Sequence, residues 1–278
     1  MDFLIKLINW SNTTMIKPTN YGWFHLMFVG IVIVCSILMC VFFRNVSARG
    51  VRVICFVFWI IIALFEVYKQ LNFTYSVSDG KIVSDYLWYA FPYQLCSTPL
   101  YVLPFVVFLP DGRLRDAVTA YMIAFSIFGG ICVYIFPGDV FTENISINIQ
   151  TMVHHGIQIV SGVYLASRYR QKLTFKYYLK GAAVFVLLLG LAMLLNEVVH
   201  NWLVNGGQND AFNMFYISPY FDCTLPVLSL IYPKVPYAVF VAIYAFGFIA
   251  ASAIIFYAAK GITVIGHSIR MRLSKNAA

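Results

Sequence analysis

Phe91-Pro92-Tyr93-Gln94-Leu95-Cys96-Ser97-Thr98-Pro99-Leu100 lies inside an uncharged, largely apolar run from 87 to 109. A helix needs about 20 such residues to cross the hydrocarbon of a bilayer, so the run reads as a membrane span and sets the class of the whole chain. Within it a thiol follows an amide by two residues and stands between prolines, each of which removes a backbone donor and loosens the helical ladder. That is more polarity than packing requires. About sixty residues later, Thr151-Met152-Val153-His154-His155-Gly156-Ile157-Gln158 carries two imidazoles into another apolar run. Ionisable groups embedded in this way are functional candidates, and Cys with His is the minimum set for thiolate nucleophilic catalysis.

Working outward, 61% of the 278 residues are hydrophobic, 18% are aromatic and 11% are charged. A soluble globule of this length cannot hide that much apolar surface, so the chain is expected to be an integral, multi-pass membrane protein. The formal charge of +8 is carried by short loops between apolar runs, which makes it an orientation signal and gives no reason to expect nucleic-acid binding. Of six cysteines, only Cys223 falls outside an apolar run, so no disulfide framework is expected. Met1 to Trp10 reads as a short amphipathic interfacial helix rather than a cleaved leader.

Seven spans are expected, at about 22–43, 53–71, 87–109, 116–137, 149–168, 177–200 and 236–259, in a single domain over 1–278. The fold class is an all-α polytopic bundle of seven transmembrane helices. Fourteen of the nineteen Lys and Arg fall in the loops on one side and five on the other. Arg44, Arg113, Arg168 and Lys172 belong to the richer set, as do Arg270, Arg272 and Lys275. The positive-inside rule then puts the N-terminus outside and the C-terminus in the cytoplasm. In a bacterium this would be the cell membrane. At 1.5 Å per residue, Cys96 lies roughly 14 Å and His155 roughly 9 Å below the outer ends of their spans, so they can share a layer. Glu66, Asn196 and His25 also fall in the outer half.

Each residue has an ordinary reading beside the functional one. Adjacent helical residues point about 100° apart, so one of His154 and His155 is expected to face Cys96 and the other a neighbouring helix. Glu66 can orient a catalytic histidine or pair with His25. Asn196 and Gln94 can donate to a developing oxyanion or pin helices together. His25, His200 and His267 are too scattered to build a zinc site, so neither metal nor cofactor is expected. Sequons at Asn12, Asn72 and Asn144 fall on the outer side.

Pro92-Tyr93-Gln94-Leu95-Cys96 resembles the LPxxLC signature of the YwaF-like multi-pass membrane proteins, and His155-Gly156 with Tyr164-Leu165 resembles their HG…YL segment. Gly22-Trp23-Phe24-His25, Asn196, Asn213-Met214-Phe215 and Pro219 extend the likeness along nearly the whole chain. Phe91 and Tyr93 around Pro92, the extra His154 and Ser218-Pro219 depart from it. The resemblance implies a relation to an animal transmembrane O-acyltransferase that moves an acyl chain from a phospholipid to a lysophospholipid. It makes Cys96 the nucleophile and His155 the base, working without cofactor. If water resolved the thioester, the same groups would make a lipase. The rival expectation, from the residues alone, is a small transporter or lipid-binding protein with Glu66, His25 and His155 as a polar path.

Overall fold

The structure, a computed structural model, describes residues 2–276, with side chains except those of His267 and 269–276. Met1 and the side chains of Arg270, Arg272 and Lys275 thus lie outside the described part. The chain is mostly helical: α1 (Asp2–Ser11), α2 (Trp23–Phe42), α3 (Ala48–Asn72), a hairpin of β1 (Tyr75–Ser78) and β2 (Lys81–Ser84), then α4 (Pro99–Phe108) and α5 (Arg113–Tyr121). It continues with α6 (Ile127–Ile135), α7 (Ile145–Arg168), α8 (Phe175–Asn205), the single turn α9 (Leu228–Ile231) and α10 (Tyr237–Asn276). Among the described residues, five helical stretches are long and apolar enough to cross a membrane: α2, α3, the continuous α5–α6 rod, α8 and α10 through Gly266.

Helices occupy six of the seven expected stretches; the third departs from expectation. Residues 87–109 do not form one helix. Two 3-10 turns, Trp88–Ala90 and Leu95–Ser97, precede α4, which has only ten residues. Pro92 and Pro99 account for the break, because each lacks a donor and disfavours helical geometry in the residue before it. Pro99 instead opens α4, where its missing N–H costs nothing. A π-helical turn at Met122–Ser126 joins α5 to α6.

α7 is the axis of the bundle. Sixteen of its twenty-four residues are buried, including Asn148, Gln150, Thr151, His154, His155, Gln158 and Ser161. Many apolar residues of α2, α8 and α10 point outward instead, with Ile33, Leu187 and Phe246 all exposed. Burying polar groups on the axis and exposing apolar ones on the rim is the arrangement a bilayer demands. Glycines let α6 and α7 approach closely: a Cβ on Gly130 would lie 2.8 Å from the His155 carbonyl oxygen, and one on Gly162 would lie 2.7 Å from that of Met122. Small residues at such crossings are the usual means of tight helix contact in membranes.

The amphipathic α1 is latched by the asparagines of three sequons, Asn12, Asn72 and Asn144. Asn72 Nδ2 donates to Asn12 Oδ1 at 2.9 Å, and Asn144 Nδ2 donates to the Ser11 carbonyl at 3.1 Å. Tyr68 Oη reaches the same carbonyl at 2.9 Å.

Candidate functional site

The break at Pro99 decides the geometry around Cys96. In an unbroken helix its carbonyl would accept from the residue four positions on; here it accepts from α7 instead. His154 Nε2 donates to it at 2.9 Å and Gln158 Nε2 at 2.6 Å, one turn of α7 apart. Gly129 on α6 packs against this segment, where a Cβ would stand at ordinary contact distance, 3.8 Å from Cys96 Cα. Cys96 is half-buried, and it lines a cavity of about 260 Å³.

The cavity wall is mainly apolar, with Phe128, Leu225 and Phe248 alongside Cys96 and the buried Tyr244. Phe136 and Asp139, both exposed, mark its mouth. A second thiol, Cys132, lies on the same wall. His154 and His155 do not line it; they stand behind the Cys96 segment on α7.

The donors of the two histidines fix their tautomers. A carbonyl can only accept, so His154 carries its proton on Nε2, and His155, whose Nδ1 donates to the Thr151 carbonyl at 2.7 Å, carries its proton on Nδ1. His155 Nε2 therefore presents a lone pair. That atom is buried without a hydrogen-bond partner, as are His154 Nδ1, Gln158 Oε1 and, on α3, Glu66 Oε2. Buried polar atoms are normally paired, and four unpaired ones near one thiol mark a place for a polar ligand or water.

Glu66 is 4% exposed and pairs with Lys69 at 2.8 Å and with Gln70 Nε2 at 2.7 Å, rather than with a histidine. His25, fully buried, accepts from the Tyr21 N–H at 3.2 Å and packs against the Tyr134 and Phe141 rings. It joins neither Glu66 nor Cys96.

Gln94 and Asn196 spend their amides on the loop after α8. Gln94 Oε1 accepts from Phe215 N at 2.7 Å and its Nε2 donates to the Asn213 carbonyl at 2.8 Å. Asn196 holds both main-chain groups of Met214, at 2.7 and 3.0 Å. At the end of the clamped stretch Phe215 and Tyr216 adopt φ of 58° and 56°. Left-handed backbone costs a non-glycine residue about 1–2 kcal/mol, so the loop is held in an unfavourable shape, and it lines the Cys96 cavity.

The sequence comparison adds a family assignment. A model of the TMEM164 family matches residues 19–258. The chain belongs to the TMEM164 family. The match runs from before α2 into α10, so the TMEM164 segment contains Cys96, both α7 histidines, Glu66 and both loop clamps. Comparison of this TMEM164 chain with curated proteins and with solved structures gives no match. Lys69, Cys132, Tyr216 and the Thr151 carbonyl are parts of the site that the sequence reading passed over. Lys69 had a visible signal, since it lies three residues after Glu66 on one helix face.

Proposed function

We propose that this protein is a phospholipid acyltransferase of the outer half of the bilayer, with seven passes, an outer N-terminus and a cytoplasmic C-terminus. In this reading α7, and the short α4 with the irregular segment before it, supply the two passes beyond the five long apolar stretches. Irregular backbone is tolerated at membrane depth where it is buried in protein or lines a cavity; here Tyr93, Ser97 and Thr98 are buried and Gln94, Leu95 and Cys96 line the cavity.

The single observation that carries the reading is the seating of Cys96. Its carbonyl is tied down by two α7 side chains while the residue forms part of the wall of an apolar cavity. An acyl chain entering past Phe136 would lie against Phe128 and Phe248 with its ester near the sulfur. His155 Nε2 takes the thiol proton, and the sulfur bonds to the ester carbonyl carbon. The carbon–oxygen bond to the glycerol backbone then breaks, the departing oxygen receives the proton from His155 through a water held at the unpaired polar atoms behind Cys96, and a lysophospholipid leaves. In the second half a lysophospholipid hydroxyl passes its proton by the same water to His155 and attacks the thioester, and the released sulfur takes that proton from His155. The backbone N–H groups of Leu95 and Cys96 are left as donors for the oxyanion, because Ser97 N donates to the Gln94 carbonyl at 2.8 Å and the Gln94 and Asn196 side chains are engaged with the loop.

The test is acyl exchange followed by mass spectrometry, using purified protein, a diacyl donor and an isotopically marked lysophospholipid. Transfer in the wild type that vanishes in Cys96→Ala and His155→Ala is the expected result. Transfer that survives Cys96→Ala sinks the thioester route, and neither transfer nor free fatty acid across donors returns the weight to a transporter.

A further inference from the structure

α2 and α7 run side by side in the same direction, and the loops that follow them meet about 15 Å further along α7 than Gln158. Tyr164 Oη donates to the Phe43 carbonyl at 3.2 Å and Arg168 Nη2 to the Val46 carbonyl at 3.3 Å, which fixes the loops together. Beside this junction is a cavity of about 340 Å³ lined by Arg44, Asn45, Ser167, Arg168, Arg170 and Lys172, together with two neighbours. Four of its lining side chains are basic and none is acidic.

Part of that charge has a structural use. Each helix C-terminus carries about half a negative charge, so two ending together call for about one cation. Lys172 is engaged by Asp116 at 2.8 Å, a carboxylate it shares with Lys180. Arg44 and Arg168 still line the cavity against about one unit of dipole charge. Moreover, the Nε atoms of Arg44 and Arg168 are both buried without a hydrogen-bond partner. Guanidinium is built to grip a phosphate with two parallel N–H bonds, and Nε is commonly one of them.

We infer that this cavity binds a phosphate group, gripped by Arg44 and Arg168. An anionic phospholipid fits it best, because Val41, Phe42 and Phe43 just before the cavity are exposed and apolar and offer acyl chains a surface beside the headgroup. A free phosphate shares the same recognition chemistry. The site lies apart from Cys96 and does not depend on the acyltransferase reading.

Native mass spectrometry of the full-length protein in detergent tests it, with phosphatidylglycerol, phosphatidylcholine and inorganic pyrophosphate as separate titrants. Wild type is expected to retain one phosphatidylglycerol at concentrations at least tenfold below those needed for phosphatidylcholine. Arg44→Gln/Arg168→Gln should lose that adduct, while Arg113→Gln, an exposed basic residue elsewhere, keeps it. Pyrophosphate binding that the double variant abolishes, without a phosphatidylglycerol preference, assigns the site to a soluble phosphate. Equal binding of all titrants, or equal loss in Arg113→Gln, overturns the inference. Should the double variant fail to run as a monodisperse peak, Arg44→Gln alone is expected to weaken the adduct about fivefold, and unchanged binding overturns the inference in the same way.

Discussion

His154 Nε2 donates to the main-chain carbonyl of Cys96 across 2.9 Å, whereas its neighbour His155 donates from Nδ1 to the Thr151 carbonyl of its own helix across 2.7 Å, so only the first imidazole holds the backbone of the thiol residue. The two imidazoles therefore have separable duties.

Substituting them separately tests this. Interhelical hydrogen bonds in membranes average about 0.6 kcal/mol, and Gln158 still holds the carbonyl, so His154→Ala should lower stability only slightly. Acyl transfer should fall about tenfold through a displaced sulfur. His155→Ala should lose about 10²-fold or more, the usual contribution of a general base. Single-turnover rates beside melting curves decide the matter; equal losses would move the base to His154.

The Glu66–Lys69 pair should behave as a buried ion pair. Removing one partner leaves the other uncompensated, so Lys69→Met is expected to cost about 3–5 kcal/mol. Glu66→Gln/Lys69→Met should recover most of it. A double-mutant cycle by thermal unfolding in detergent reads the coupling, and additive losses would mean the pair is not coupled.

Asn196→Ala removes both hydrogen bonds to Met214, and with them part of the restraint on the left-handed Phe215 and Tyr216. Faster labelling of Cys96 by a small maleimide is expected, together with about 2 kcal/mol of lost stability. Unchanged labelling would show that the loop does not guard the cavity.

Gly162→Ala should be among the most damaging single-methyl changes, since its Cβ would stand 2.7 Å from the Met122 carbonyl oxygen. Overpacking of this kind costs about 1–3 kcal/mol. Gly190→Ala on α8, with no atom within 4 Å of its Cβ, should be neutral or gain up to about 1 kcal/mol from helix propensity. The order of the two melting temperatures is the readout.

Asn72 and Asn144 are expected to stay unmodified in a glycosylating host, because each spends its Nδ2 atom on the α1 latch. In a Thr14→Ala background, which removes the Asn12 sequon, glycosidase treatment should leave the electrophoretic mobility unchanged.

Much of this architecture was legible in residue order. Apolar runs of span length mark α2, α3, α8 and α10 because a bilayer imposes length and apolarity together. Pro92 and Pro99 announced a weakened helix at Cys96, but its full replacement by turns depended on α7 supplying partners for the freed carbonyl. The hairpin of β1 and β2 carried its own signal in Asp79-Gly80, a pair that adopts φ of 50° and 70° at the two central turn positions. It was obscured by the loop reading of the outer polar segment. The roles of Gln94 and Asn196 were not readable, since an amide's partners are backbone groups more than a hundred residues away in one case and eighteen in the other.

The buried polar stripe of α7 also bears on how the chain is made. In the seven-pass reading, a segment carrying two histidines, one asparagine, two glutamines and several hydroxyls is a poor candidate for insertion by itself, because each such side chain raises the cost of leaving the aqueous translocation channel. α6 and α7 meet through Gly130 and Gly162, so in that reading α7 is best released into lipid as half of a preassembled helical hairpin. Biogenesis of the axis and closure of the α6–α7 crossing are then a single event, and a bulky residue at either glycine would strand the histidine-bearing helix before the protein had a site to complete.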